Sequence, residues 1–121
     1  MDRPYQYLDV ERHEKTCIVR LVHAQYDDTM LDQMGVELAR LLDEDGCRSM
    51  ILSLGPDEPD CLYSVFLAKL LSLKKRMELS GGQLLLADLG AHTRKILQVA
   101  GLEKYFRMFD DTDAALKYLN P

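Results

Sequence analysis

Several things are scarce in this 121-residue chain, and each scarcity removes a class of function. There are three cysteines, Cys17, Cys47 and Cys61, with no Cys-x-x-Cys pair. That count argues against a disulfide framework or a zinc site and suits a reduced, cytoplasmic protein with small buried thiols. No uninterrupted apolar run exceeds the four residues of Leu84 to Ala87, far short of the roughly 20 that a membrane helix needs. The start, Met1-Asp2-Arg3-Pro4-Tyr5-Gln6, lacks the basic-then-apolar pattern of a secretory leader. Basic residues are outnumbered, 15 against 20 acidic, so the net charge is −5. A chain of that sign gains nothing from neutralising phosphates or an anionic membrane surface, and direct nucleic-acid binding is not expected.

Catalytic signatures are missing as well. There is no Gly-x-x-x-x-Gly-Lys-Ser/Thr loop, no Gly-x-Gly-x-x-Gly and no Gly-x-Ser-x-Gly. His13, His23 and His92 fall in a turn, at a strand end and in a loop, none with a partner at helical spacing. No metal or cofactor is expected, and no enzyme. Repeats, low-complexity tracts and flexible linkers are absent too, which leaves one domain over residues 1–121.

What is present is a regular alternation of strand and helix patterns. Tyr5 to Glu11 alternates as a half-buried strand, Arg12 to Lys15 is a polar turn, and Thr16 to His23 is a second strand. Its Cys17, Val19 and Leu21 point to one face, and its Ile18 and Val22 to the other. Asp27-Asp28-Thr29 opens a helix with Leu31, Met34, Leu38, Leu41 and Leu42 on one stripe, stopped by Gly46. Ser49 to Leu54 has the length of a buried strand. Gly55-Pro56-Asp57-Glu58-Pro59-Asp60 is a loop.

Ser64 to Leu79 is a second helix with Phe66, Leu67, Leu70, Leu71, Leu73 and Met77 inward, ended by Ser80-Gly81-Gly82. Gln83 to Leu89 is apolar on both faces, as a central parallel strand should be. A third helix holds Ile96, Leu97 and Ala100, with Gly101-Leu102 reading as a Schellman cap. Tyr105 to Phe109 is a last strand, and Asp110-Asp111-Thr112-Asp113 starts a fourth helix through Leu119. The order β-β-α-β-α-β-α-β-α predicts an α/β fold, with a mixed, mostly parallel sheet of about five strands and about four helices.

The acid clusters Asp27-Asp28 and Asp110-Asp111/Asp113 are explained by helix starts, and Asp57-Glu58/Asp60 by a solvated loop. Asp43-Glu44-Asp45 sits near a helix C-terminus, where acids are unfavourable, and is read as surface.

The element order and three strings together resemble the STAS domain, the fold of bacterial anti-sigma-factor antagonists, over about Tyr5 to Leu119. The strings are Leu71-Ser72-Leu73-Lys74-Lys75-Arg76 followed by Gly81-Gly82-Gln83-Leu84-Leu85-Leu86, then Ala100-Gly101-Leu102-Glu103-Lys104-Tyr105-Phe106, and Asp113-Ala114-Ala115-Leu116. The resemblance implies a non-enzymatic regulatory module in transcription control. A serine kinase that is also an anti-sigma factor would phosphorylate the first hydroxyl of an Asp-Ser-Ser/Thr-Gly motif at the start of the second helix.

Counting back from Gly81-Gly82 puts that motif on Tyr63-Ser64-Val65-Phe66, so Ser64 falls on the phosphoacceptor position while the other three residues differ. A gapless count from the third strand would put it on Cys61-Leu62-Tyr63-Ser64 instead. The first register is taken because a loop absorbs length change more readily than a helix. A second partner-contacting segment, Gly-Glu-Leu-Asp in the family, falls on His23-Ala24-Gln25-Tyr26, where Asp27 stands one place later as a substitute acid.

Ser64 therefore has two compatible readings, a helix cap and a phosphoacceptor. Tyr26, Asp27, Asp60, Cys61, Tyr63, Val65 and Phe66 are the expected partner-binding residues. Of these, Tyr26 and Tyr63 are expected to be partly exposed, and Phe66 also reads as core from its spacing with Leu70 and Met77. Two alternatives stand beside partner switching. One is a motif-degenerate scaffold subunit of a larger signalling or transport assembly. The other is a small-ligand sensor, for nucleotide or lipid, that uses the helix N-terminus as an anion site.

Overall fold

A computed structural model describes residues 5–55 and 64–120, with the side chain of Ser64 left out. Its elements are β1 (Leu8–His13), β2 (Thr16–Leu21), α1 (Asp28–Asp43), β3 (Ser49–Ser53), α2 (Ser64–Leu79), β4 (Leu84–Ala87), α3 (Ala91–Val99), β5 (Arg107–Phe109) and α4 (Thr112–Leu119). This is the expected ββαβαβαβα order. The five strands form one sheet in the order β1-β2-β3-β4-β5. β1 runs antiparallel to β2, and every later pair is parallel.

Period-two alternation divides the sheet between two cores. Cys17, Val19, Met50, Leu52, Leu84 and Leu86 face the larger one, which is completed by Leu31, Met34, Leu38 and Leu41 of α1, the α2 stripe and Leu97 of α3. Ile18, Ile51, Leu85 and Ala87 face the other side, where α4 covers them with Ala115, Leu116 and Leu119. Among the described residues, three helices thus close one face and a single short helix the other.

Caps fall where residue chemistry places them. The Asp27 carboxylate accepts from the Met30 N–H at 2.8 Å and starts α1, and Asp111 does the same from Ala114 at 2.8 Å for α4. Gly101, at φ 73°, ends α3. Its N–H donates to Gln98 and that of Leu102 to Leu97, the paired bonds of a Schellman cap.

Several strand boundaries differ from expectation: β2 ends at Leu21 rather than His23, β4 spans Leu84–Ala87 rather than Gln83 to Leu89, and β5 starts at Arg107 rather than Tyr105. The first strand starts at Leu8, not Tyr5, and continues through His13, so the turn shrinks to Glu14 and Lys15. Glu14 takes φ 58°, a left-handed turn conformation without a glycine to announce it. Residues 5–7 do not pair in the sheet because another partner holds them. The carboxylate of Glu37, buried on α1, accepts from the N–H groups of Gln6 and Tyr7 at 2.8 and 2.9 Å.

The acids at the end of α1 also find their purpose. Asp43 pairs with Arg76 of α2, and Asp45 accepts from the Tyr5 hydroxyl, over whose ring Arg40 lies at 4.5 Å. Burial first, then the hydrogen bond and charge of Asp45, push that hydroxyl from 10.0 up to about 12.

Candidate functional site

Parallel strands deliver their exits to one edge of the sheet, and connections at such an edge are where α/β folds build binding sites. Here that edge gathers residues 22–27 after β2, 54–55 after β3 and 88–90 after β4. Ser64, the first residue of α2, comes after the second of these in the chain.

The β2 exit is organised by Tyr26. Its hydroxyl donates to the Tyr7 carbonyl at 2.7 Å and accepts from the N–H groups of Val22 and His23 at 3.0 and 3.3 Å. The His23 ring lies between Tyr7 and Tyr26, tilted to the first and edge-on to the second, 5.5 Å from each, and its Nε2–H donates to the Gln6 carbonyl at 3.2 Å. The segment 5–7 and the exit of β2 thus hold each other in place. Asp27, one residue on, is exposed and caps α1.

The exit of β3 is fixed against that of β4. The Leu54 N–H donates to the Ala87 carbonyl at 3.0 Å, and the Ser53 hydroxyl donates to the Asp88 carboxylate at 2.6 Å. Asp88 adopts φ 58°, a conformation that Asp tolerates better than most residues. Gly55 then passes so close that a Cβ there would lie 2.5 Å from the Asp88 carbonyl oxygen. Only glycine lets the two loops meet at this point.

Of the residues expected to face a partner, two stand corrected. Tyr26 is 2% exposed, not partly exposed, because its hydroxyl is spent on three backbone groups. Phe66 is 0% exposed, turned into the larger core beneath the first turn of α2, so the core reading from its spacing holds and it is its place among the contact residues that is corrected. Val65, beside it, is 41% exposed. Asp60, Cys61 and Tyr63 lie outside the described residues, as does the Pro loop beyond Gly55. Sequence reasoning missed Ser53, Gly55 and Asp88. The signal available was a glycine directly after an apolar strand.

The helix N-termini at this edge are not alike. Asp27 and Asp28 occupy the start of α1, and Asp111 and Asp113 that of α4. The first turn of α2 has no acid, and neither does that of α3, which is capped by Gly90 without a side-chain hydrogen bond. Among the described residues, no group of three or more His, Cys, Asp or Glu is placed to hold a metal ion. No helix among them is long and apolar enough to cross a membrane.

Comparison with known proteins agrees with this architecture. The STAS domain family model matches residues 7–115. An anti-sigma factor antagonist from Mycobacterium paratuberculosis superposes with a TM-score of 0.77 at 20% identity, covering 100% of both chains. The Bacillus cell fate determinant SpoIIAA is matched in two forms, both at 16% identity. The unphosphorylated form gives a TM-score of 0.75 over 94% of this chain and 97% of the other. The phosphorylated form gives 0.69 over 92% and 98%. No curated protein matches by sequence.

Proposed function

This chain belongs to the STAS domain family, and from that premise we propose that it is a non-enzymatic regulatory module of the anti-sigma-factor-antagonist kind. It acts in the cytoplasm by partner switching: a serine kinase that is also an anti-sigma factor docks on the rim at the start of α2. Transfer of a phosphate to Ser64 releases it. The observation that carries this reading is the position of Ser64 as the first residue of α2, on the edge where three strand exits converge.

A phosphate there adds close to two negative charges and gains from the unpaired N–H groups of the helix start. No acid in the first turn of α2 already occupies that advantage. The likeness to SpoIIAA, known in phosphorylated and unphosphorylated forms, supports the reading. Asp27, Val65, Asp60, Cys61 and Tyr63 supply the contact surface. Tyr26 and Phe66 act from beneath, holding the rim to the core.

The test is incubation with the cognate kinase, followed by mass spectrometry and partner-binding measurements. The expected result is one phosphate on Ser64, a complex weakened by Ser64→Asp and a complex that Ser64→Ala no longer releases. An unmodified Ser64, or release unchanged by Ser64→Ala, overturns it.

One observation favours a second reading. Phe66 stands where the resembled motif has glycine, and its burial anchors the first turn of α2 to the core. A rim held so firmly suits a constitutive scaffold subunit, for which co-purification with other subunits persists unchanged in Ser64→Asp.

A further inference from the structure

A charged cleft takes no part in the rim around Ser64. It lies at the opposite end of the sheet, where β4 and β5 begin and α2 ends, and encloses about 330 Å³. Lys74 and Glu78 reach it from the last turns of α2, and Gln83 from the residue before β4. Lys104 and Tyr105 come from the connection into β5, and Arg107 is the first residue of that strand.

Charge is not balanced there, with three cations against one carboxylate. The Lys74 ammonium donates to the Glu78 carboxylate at 2.7 Å, so these two offset each other. Lys104 and Arg107 have no acidic partner among the described residues. The Arg107 guanidinium lies over the Tyr118 ring, 5.0 Å from its centre, which fixes it without neutralising it. The chain as a whole carries −5, but that total matters little here. At physiological salt, exposed charges more than about 8 Å away are largely screened. A ligand entering the cleft therefore meets the local excess of positive charge.

The remaining lining is not that of a bare anion site. Glu78 accepts hydrogen bonds, and the Gln83 amide both donates and accepts. Tyr105, 60% exposed, offers a ring and a hydroxyl. The cleft stands at the small end of the roughly 300–1,000 Å³ of small-molecule sites, enough for one sugar ring and its phosphate but cramped for anything with a second ring.

We propose that this cleft binds a sugar phosphate, a phosphate monoester carried on a single sugar ring. The phosphate takes charge-assisted hydrogen bonds from Lys104 and Arg107, with Lys74 as a third donor. Glu78 and Gln83 bind sugar hydroxyls, and Tyr105 covers the ring. The site is at the far end of the sheet from Ser64 and is independent of the proposed phosphorylation.

The test is calorimetric titration of the full chain with ribose 5-phosphate at fixed ionic strength. One saturable site per chain is expected, and no saturable heat at millimolar ligand overturns the proposal. Lys104→Gln and Arg107→Gln should each weaken binding at least about tenfold while circular dichroism melts show the fold retained. Lys75→Gln removes the same charge from an exposed position of α2 outside the cleft and should change nothing. A loss equal to that of Lys104→Gln would mean a diffuse field and refute the cleft. Inorganic phosphate and ribose should each bind at least about tenfold more weakly than the ester. Phosphate binding as tightly as the ester removes the role of the sugar, and AMP binding more tightly than ribose 5-phosphate refutes the single-ring ligand.

Discussion

Removing one oxygen atom from Tyr26 tests whether this side chain is a pin for the β2 exit. In Tyr26→Phe the ring remains and the packing is conserved, but three backbone groups lose a partner. The bonds to Tyr7 and Val22, at 2.7 and 3.0 Å, are worth about 1 kcal/mol each. The bond from His23 is longer, at 3.3 Å, and His23 is exposed, so water replaces it at little cost. The loss is then about 2 kcal/mol. Unfolding entropy of roughly 2.1 cal/mol/K per residue amounts to about 0.25 kcal/mol/K for a chain of this length, so the melting temperature should fall by about 8 °C. Circular dichroism melts of the two proteins at neutral pH measure it directly. An exposed contact tyrosine would lose almost nothing, as surface substitutions generally do. A shift below about 2 °C would therefore refute the buried-hub reasoning.

Three further outcomes follow from the same structure. Gly55→Ala drives a Cβ into the Asp88 carbonyl and should cost about 1–3 kcal/mol in urea unfolding; a neutral result means that the two loops do not meet. Asp111→Ala removes the α4 cap, and a loss of about 1 kcal/mol is expected, with unchanged stability counting against the cap. The Tyr5 hydroxyl ionises near 10.0 in the unfolded chain and only at about 12 in the fold, so its contribution is complete below pH 10 and fades as pH rises toward 12. Urea midpoints across that range should fall more steeply in the parent than in Tyr5→Phe, and parallel curves would contradict the assignment.

The helices were legible because leucine spacing and glycine stops are strong local signals. The ends of α2 at Ser64 and Leu79, and the cap at Gly101, are where the residues announce them. Strand faces were legible too, since Cys17 and Val19 alternate with Ile18 as expected. The rim was not, for an identifiable reason. Whether Tyr26 is exposed depends on the Tyr7 carbonyl, 19 positions earlier, and the need for glycine at position 55 depends on the Asp88 backbone. Likewise, nothing local to Tyr5, Gln6 and Tyr7 reveals that Glu37 will take two N–H groups otherwise available to a strand ladder. Local patterns describe elements, whereas loops are fixed by partners far away in sequence.

Strand order in this sheet is also chain order, from β1 to β5. As the polypeptide leaves the ribosome, each strand meets an edge already waiting for it, and none has to wedge between two neighbours that have paired. The hairpin of β1 and β2 forms from adjacent residues, and every later helix-and-strand unit extends it by one step. Growth of this kind can keep pace with synthesis and, besides the outer edge of β1, leaves the newest edge open to wrong partners. The unit of β5 with α4 also brings the helix that covers the second face. Until α4 emerges, Ile18, Ile51 and Leu85 stay uncovered, so the nascent domain is most vulnerable to aggregation just before that helix is made.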